Sequence, residues 1–342
     1  MTAIVLVVGA GGVGKTTMAA AIAAAAARDG VNTLVLTVDP ARRLADALGL
    51  ELGNHPTPVP GVDGLAAAML DAAASWEAIV RTHASGPVAD RLVANPLFRA
   101  VADRFPSGQA YAAAEEMTTH ADSGVWDLVV VDTPPSSGGI DFLASPQRMR
   151  ALVAGRALRW LTGPKLPGKR AVYSFTARPA LRLADAVLGG PLLEDVAEFL
   201  LDLRETYDGI SKRSRQVETT LRRATAVIVT TADPTPVREM VRFFDELPSW
   251  AGRPRAVVFN RALPAAWAHA ITDPDDALDA NLARWGLEAA RQQDIRTEIA
   301  LRHGLIPIVV PWLPEMPADP AALAAVAEQA GGLDLKSIGL IR

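Results

Sequence analysis

Short apolar runs recur along the chain, and longer stretches of helical character separate them. AIVLVV (3–8), NTLVLTV (32–38), LAAAML (65–70), DLVVVD (127–132), TAVIVTT (225–231), RAVVF (255–259) and IPIVVP (306–311) lack the polar alternation of a half-exposed strand. Continuous runs of this kind predict strands buried on both faces. Their alternation with helices predicts an α/β fold, a doubly wound and mainly parallel sheet of about seven strands. The runs are unevenly spaced. The long gaps after residues 70 and 132 are rich in Ala, Leu, Arg and Glu. Helical insertions are therefore expected at about 74–122 and 141–222, forming a helical subdomain within one domain spanning 1–342.

Composition narrows the chemistry. The chain has 342 residues, half of them apolar, which suits one large α/β domain with insertions. A net charge of -4 gives no reason to expect nucleic acid as a partner. The sequence has no cysteine. That removes disulfides, thiolate metal sites and cysteine nucleophiles together. No basic segment precedes the apolar N-terminus, and the alanine run 19–27 is too short to span a bilayer. A cytoplasmic location is expected.

The first strand runs into GAGGVGKTT (9–17), which satisfies two motifs. Gly9, Gly11 and Gly14 spell the dinucleotide fingerprint; Gly9, Gly14, Lys15 and Thr16 spell the P-loop. Both need a strand, a glycine turn and a helix N-terminus, so context does not choose between them. Chemistry does. A lysine after the last glycine can reach β- and γ-phosphate oxygens, and Thr16 can ligate Mg²⁺. Asp39, at the end of the second strand, fits either reading. Asp132, closing the apolar strand of WDLVVVDTPP, reads as a Walker B carboxylate. Two acids, a lysine and a threonine at one phosphate site suit metal-assisted phosphoryl transfer, with ATP and Mg²⁺ as cofactors. An NAD-dependent oxidoreductase remains the alternative.

With these residues in place the sequence resembles the ArsA-like family of deviant Walker-A ATPases, which includes the ATPases of tail-anchored protein insertion. The match is carried by GAGGVGKTT, by TVDPARRLADALG as switch I, by VVVDTPPSSGGIDFLASP as switch II, by VVFNR, and by the stretch 95–117. The resemblance implies that Gly11, Gly12, Val13, Gly14, Lys15, Thr16 and Thr17 cradle phosphates. It implies that Thr16, Asp132 and Asp39 serve the metal and that Asp39, with Lys15, is catalytic. It places Asn260, Arg261, Pro311 and Trp312 around the adenine. It also implies a nucleotide-gated dimer, homo- or heteromeric, whose helical subdomain handles a protein client.

Three departures qualify that picture. The family's signature lysine, which crosses to the partner's phosphates, is Ala10 here, so hydrolysis is expected to be slow, to need a partner chain, or to use another cation. Arg42 and Arg43 are candidates for that charge, though arginines that are solvated or paired with acids are the simpler reading. A chain whose ATPase scarcely turns over would be a nucleotide-binding regulatory subunit. Without cysteine there is no site for soft As(III), so an arsenite pump is excluded. Only Met149 falls in the insertion 141–222, so the methionine-lined groove of the tail-anchor chaperones is not expected.

Residues 148–182 hold nine basic residues and no acid. They read as a helical face neutralised by the acid-rich stretch 194–208, or as a mobile basic lid meeting an anionic surface, either a membrane or an acidic partner. The five histidines are scattered without metal-ligand spacing. Most tryptophans are expected in the core. The small residues Ser136, Ser137, Gly138 and Gly139 suit either a switch segment or an ordinary loop.

Overall fold

A computed structural model describes residues 1–39, 41–104, 106–134, 137–155, 190–269 and 277–330. The described chain divides into two units. One comprises residues 1–71, 116–143 and 220–342, and the other residues 72–115 and 144–219.

The first unit is built on one eight-stranded sheet. Its strands are β1 (Ala3–Gly9), β2 (Thr33–Thr37), β3 (Thr57–Pro58), β4 (Leu65–Met69), β5 (Leu128–Asp132), β6 (Thr225–Thr230), β7 (Ala256–Ala262) and β8 (Ile306–Pro311). They lie in the order β3-β4-β2-β5-β1-β6-β7-β8. All pairings are parallel except β3 with β4. Each of the seven apolar runs forms a strand. The eighth strand, β3, was not expected, because two residues carry no periodicity. Its Pro58 cannot donate a ladder hydrogen bond, which suits the sheet edge it occupies.

Alternate residues of the central strands face opposite layers, as the period of two requires. Val5, Val7, Val35, Val130, Val227 and Val258 share a core with helices α1 (Lys15–Arg28) and α12 (Pro320–Gln329). Leu6, Leu34, Leu36, Val129 and Val131 point the other way and are equally buried. Continuous apolar strands are the sequence form of that double burial. Helix α1 is walled by alanines from Ala19 to Ala27, all but Ala25 fully buried. Helices α2 (Arg43–Leu48), α10 (Pro234–Glu246) and α11 (Ala277–His303) also belong to this unit.

The second unit is helical. It contains α3 (Ala72–His83), α4 (Gly86–Ala94), α5 (Pro96–Arg104), α8 (Gly190–Leu203), and parts of α6 (Pro106–Asp122), α7 (Ser137–Ala154) and α9 (Tyr207–Arg223). Two apolar clusters hold it together, Ile79–Tyr111–Met149–Val153–Ile210 and Val80–Val88–Leu92–Phe98–Phe199. Trp76 touches both, and its indole N–H donates to the Gly108 carbonyl at 3.2 Å. Arg91 clamps the buried Asp202 with two hydrogen bonds of 2.8 Å. Such forked pairs fix geometry as well as charge.

Of the basic stretch 148–182, residues 156–182 lie outside the described residues. Arg150 is neutralised by Glu218 at 2.5 Å, an acid outside the stretch 194–208. The small residues of switch II depart from a loop: Ser137, Gly138 and Gly139 form the first turn of α7. A Cβ at Gly139 would meet Phe243 and Val8 at 3.5 Å, an ordinary van der Waals contact. Several tryptophans depart from the core. Trp267, Trp285 and Trp312 are exposed, the first two packed edge to face. No helix among the described residues is long and apolar enough to cross a membrane.

Candidate functional site

The site grows from the carboxyl end of β1, which lies between β5 and β6. In parallel sheets, ligands bind where strands end and helices begin. The chain must turn there without side chains. A Cβ on Gly9 would lie 2.0 Å from the Val229 carbonyl oxygen of β6. Gly12 has φ 76° and Gly14 φ 95°, both in the left-handed region that glycine occupies freely. Gly14 ends the turn as the N-cap of α1, and no side chain caps that helix. The first-turn N–H groups are therefore left for an anion. We expect Gly9→Ala to destabilise the protein by about 3 kcal/mol, because the methyl meets rigid backbone and not a movable side chain. A urea titration measures it; a midpoint equal to that of the parent would refute the close approach.

Lys15 is buried, and its Nζ donates to the Ala10 carbonyl at 2.8 Å. Burial is the main cause that lowers its pKa; the carboxylate of Asp132 acts the other way. Two of its three N–H groups are left over after the bond to Ala10.

Asp132, the last residue of β5, is 1% exposed. Its Oδ2 accepts from Thr16 Oγ1 at 2.7 Å and from Thr37 Oγ1 at 3.1 Å. Strand register brings the second donor, since Thr37 of β2 and Val7 of β1 both pair with Asp132. Thr133 fastens β5 further by donating to the Val7 carbonyl at 2.8 Å. The other carboxylate oxygen, Oδ1, is buried without a hydrogen-bond partner. Burial raises the Asp132 pKa, against the pull of the two threonines and Lys15. An orphaned buried carboxylate oxygen beside a threonine hydroxyl fits a hard divalent cation, which seeks oxygen ligands.

Asp39 follows β2. Its Oδ1 accepts from the Ala41 N–H at 2.9 Å, and Arg43 Nη1 lies 3.5 Å from Oδ2. Its charge is felt at both Asp132 and Lys15.

Asn260 arrives from β7 through an irregular step in the strand, where Arg261 takes φ 57°. A non-glycine residue in that region is strained, and such bulges re-aim neighbouring side chains. Here the Asn260 amide donates to the Val13 carbonyl at 2.8 Å, while its oxygen accepts from the Arg261 N–H at 2.9 Å. Asn260 thus braces the glycine loop. It retains one N–H and one lone pair for a base. Arg261 and Trp312 are exposed and Pro311 partly so.

The sheet therefore collects Lys15, Thr16, Asp39 and Asp132 from three distant stretches of chain. Thr37 joins them unforeseen. A polar residue closing the otherwise apolar β2, two positions before Asp39, was its only signal.

Comparison with known proteins agrees with this architecture. The profile of the family described as anion-transporting ATPase, ArsA_ATPase, matches residues 2–295. The chain is 27% identical over 257 residues to ATPase GET3 of Mycosarcoma maydis, covering 75% of this chain and 71% of the relative. It is 26% identical over 262 residues to ATPase get3 of Aspergillus terreus, covering 76% and 73%. An uncharacterized protein of Streptomyces coelicolor is 36% identical over 178 residues, covering 51% of this chain and 44% of that protein. A match across most of the chain, on a parallel sheet that carries a P-loop at its central strand, identifies the protein as a member of the ArsA-type family of P-loop ATPases.

Proposed function

We propose that the protein is a Mg²⁺-dependent, ATP-hydrolysing switch that works as a dimer and couples nucleotide state to its helical unit, where a protein client or partner binds. One observation carries the reading. Asp132 is held by two threonines with one buried oxygen left free, within electrostatic reach of a buried lysine. That is a poor arrangement for a protein without a ligand and a good one for a metal-bound triphosphate. A divalent cation bound there supplies positive charge against the phosphate oxygens and their developing negative charge.

The chain's own residues do the rest. The glycine loop and the open first turn of α1 bind phosphate. Lys15 donates to β- and γ-phosphate oxygens, Thr16 and Asp132 hold the metal, and Asp39 orients the attacking water at its carboxylate. Hydride transfer needs none of this set. The lack of cysteine argues against arsenite as cargo.

A titration comparing ATP with Mg²⁺ against NAD tests the assignment directly. ATP is expected to bind in the micromolar range and NAD not at all; the opposite pattern would overturn it. A second reading, a regulatory subunit that binds nucleotide and scarcely hydrolyses it, is favoured by Ala10, which is buried where the family carries a lysine. Phosphate release per active site separates the two readings.

A further inference from the structure

Ala10 leaves a question of charge. Its side chain is 5% exposed and belongs to the core around α1, and its carbonyl is occupied by Lys15. Position 10 therefore faces inward on this backbone. Phosphoryl transfer still places negative charge on the γ-phosphate oxygens, and a further cation is worth orders of magnitude there.

Resting on the ATPase reading above, we propose that Arg43 is a catalytic residue that supplies this charge in cis, from the first turn of α2. Arg43 lies 3.5 Å from Asp39, the carboxylate that is to orient water. Its side chain is 63% exposed, so it can change partner without disturbing packing. Its charge also reaches Lys15, whose pKa it helps to lower. A carboxylate and a γ-phosphate offer a guanidinium the same paired oxygens.

The exchange has a second effect. In the structure both Asp39 oxygens are engaged, one by the Ala41 N–H and one by Arg43. When Arg43 turns to the phosphate, Oδ2 is released to accept from water. The water oxygen then bonds to the γ-phosphorus as the bond to the β,γ-bridging oxygen breaks. The electron pair leaves on ADP, and the water proton passes to the departing inorganic phosphate. An exposed ion pair holds its partners by about 1 kcal/mol or less, so the exchange meets little resistance.

The test is Arg43→Ala in the full chain. Turnover is expected to fall about 100-fold, while ADP affinity stays within about twofold. Affinity for ADP with fluoroaluminate, which mimics the transferring phosphoryl group, falls with turnover. Millimolar guanidinium ion restores part of the rate, which a merely structural arginine would not allow, and Arg43→Lys retains an intermediate rate. Unchanged turnover, or equal losses for ADP and for the fluoroaluminate complex, overturns the proposal. If the parent protein binds no ATP at all, the ATPase reading fails and this inference with it; if the parent hydrolyses ATP and Arg43→Ala does so equally well, only the arginine's role is lost.

Discussion

Replacing Lys15 by alanine is expected to weaken ATP binding at least about 100-fold and to leave the fold standing. The lysine's ammonium is out of water and makes one bond to a neutral carbonyl. Its remaining donors find charged acceptors only when phosphate is present. Losing charge-assisted hydrogen bonds in a desolvated site costs about 3 kcal/mol, which is the 100-fold. The melting temperature in saturating Mg-ATP reports it: the rise seen for the parent should vanish in Lys15→Ala. The ligand-free melting temperatures should stay close. A variant that still shifts with ATP would mean that the loop backbone alone holds the nucleotide.

The pKa directions explain why the ligand matters so much to stability. Burial raises the Asp132 pKa above its ordinary 3.8. A carboxyl of that kind stabilises the fold below 3.8, and the contribution is lost as pH rises through the folded value. Burial lowers the Lys15 pKa below 10.5. That lysine stabilises the fold above 10.5, and the contribution is lost as pH falls through its folded value. Burial thus disfavours the charged form of both side chains, and each offsets only part of the other's cost.

Asp132→Asn is expected to abolish the Mg²⁺ dependence of nucleotide binding and to lower hydrolysis at least about 100-fold. The amide oxygen can still accept from Thr16 and Thr37, so the strands keep their ties. What it cannot do is offer a second anionic oxygen in place of the orphaned Oδ1. ATP affinity measured with Mg²⁺ and with chelator should differ strongly in the parent and agree within about threefold in the variant. Retained metal dependence would put the cation elsewhere.

The strands were legible because a buried parallel strand has no polar face to hide it, and β1, β2 and β5 are such runs. Lys15, Thr16, Asp39 and Asp132 were legible because each stands at the carboxyl end of one or in the turn and helix start that follow it. Thr37 was not, since its role exists only through the register that sets it beside Asp132. Asn260 was read for a base; a backbone irregularity at Arg261, invisible in sequence, turns it toward Val13. Ser137, Gly138 and Gly139 read equally well as a switch segment or an ordinary loop, and the structure makes them the first turn of α7. The aromatic content of Trp267 and Trp285 suggested the interior, whereas they pair with each other at the surface.

Helix α1 has one further consequence. Hemmed in by alanine methyls that already touch strand and helix neighbours, it has no slack in which to rotate or slide. Under the switch function proposed above, a bound triphosphate would therefore be sensed not through that rod but through the two segments that follow Asp39 and Asp132. Residue 144, where the helical unit resumes, lies twelve residues after Asp132.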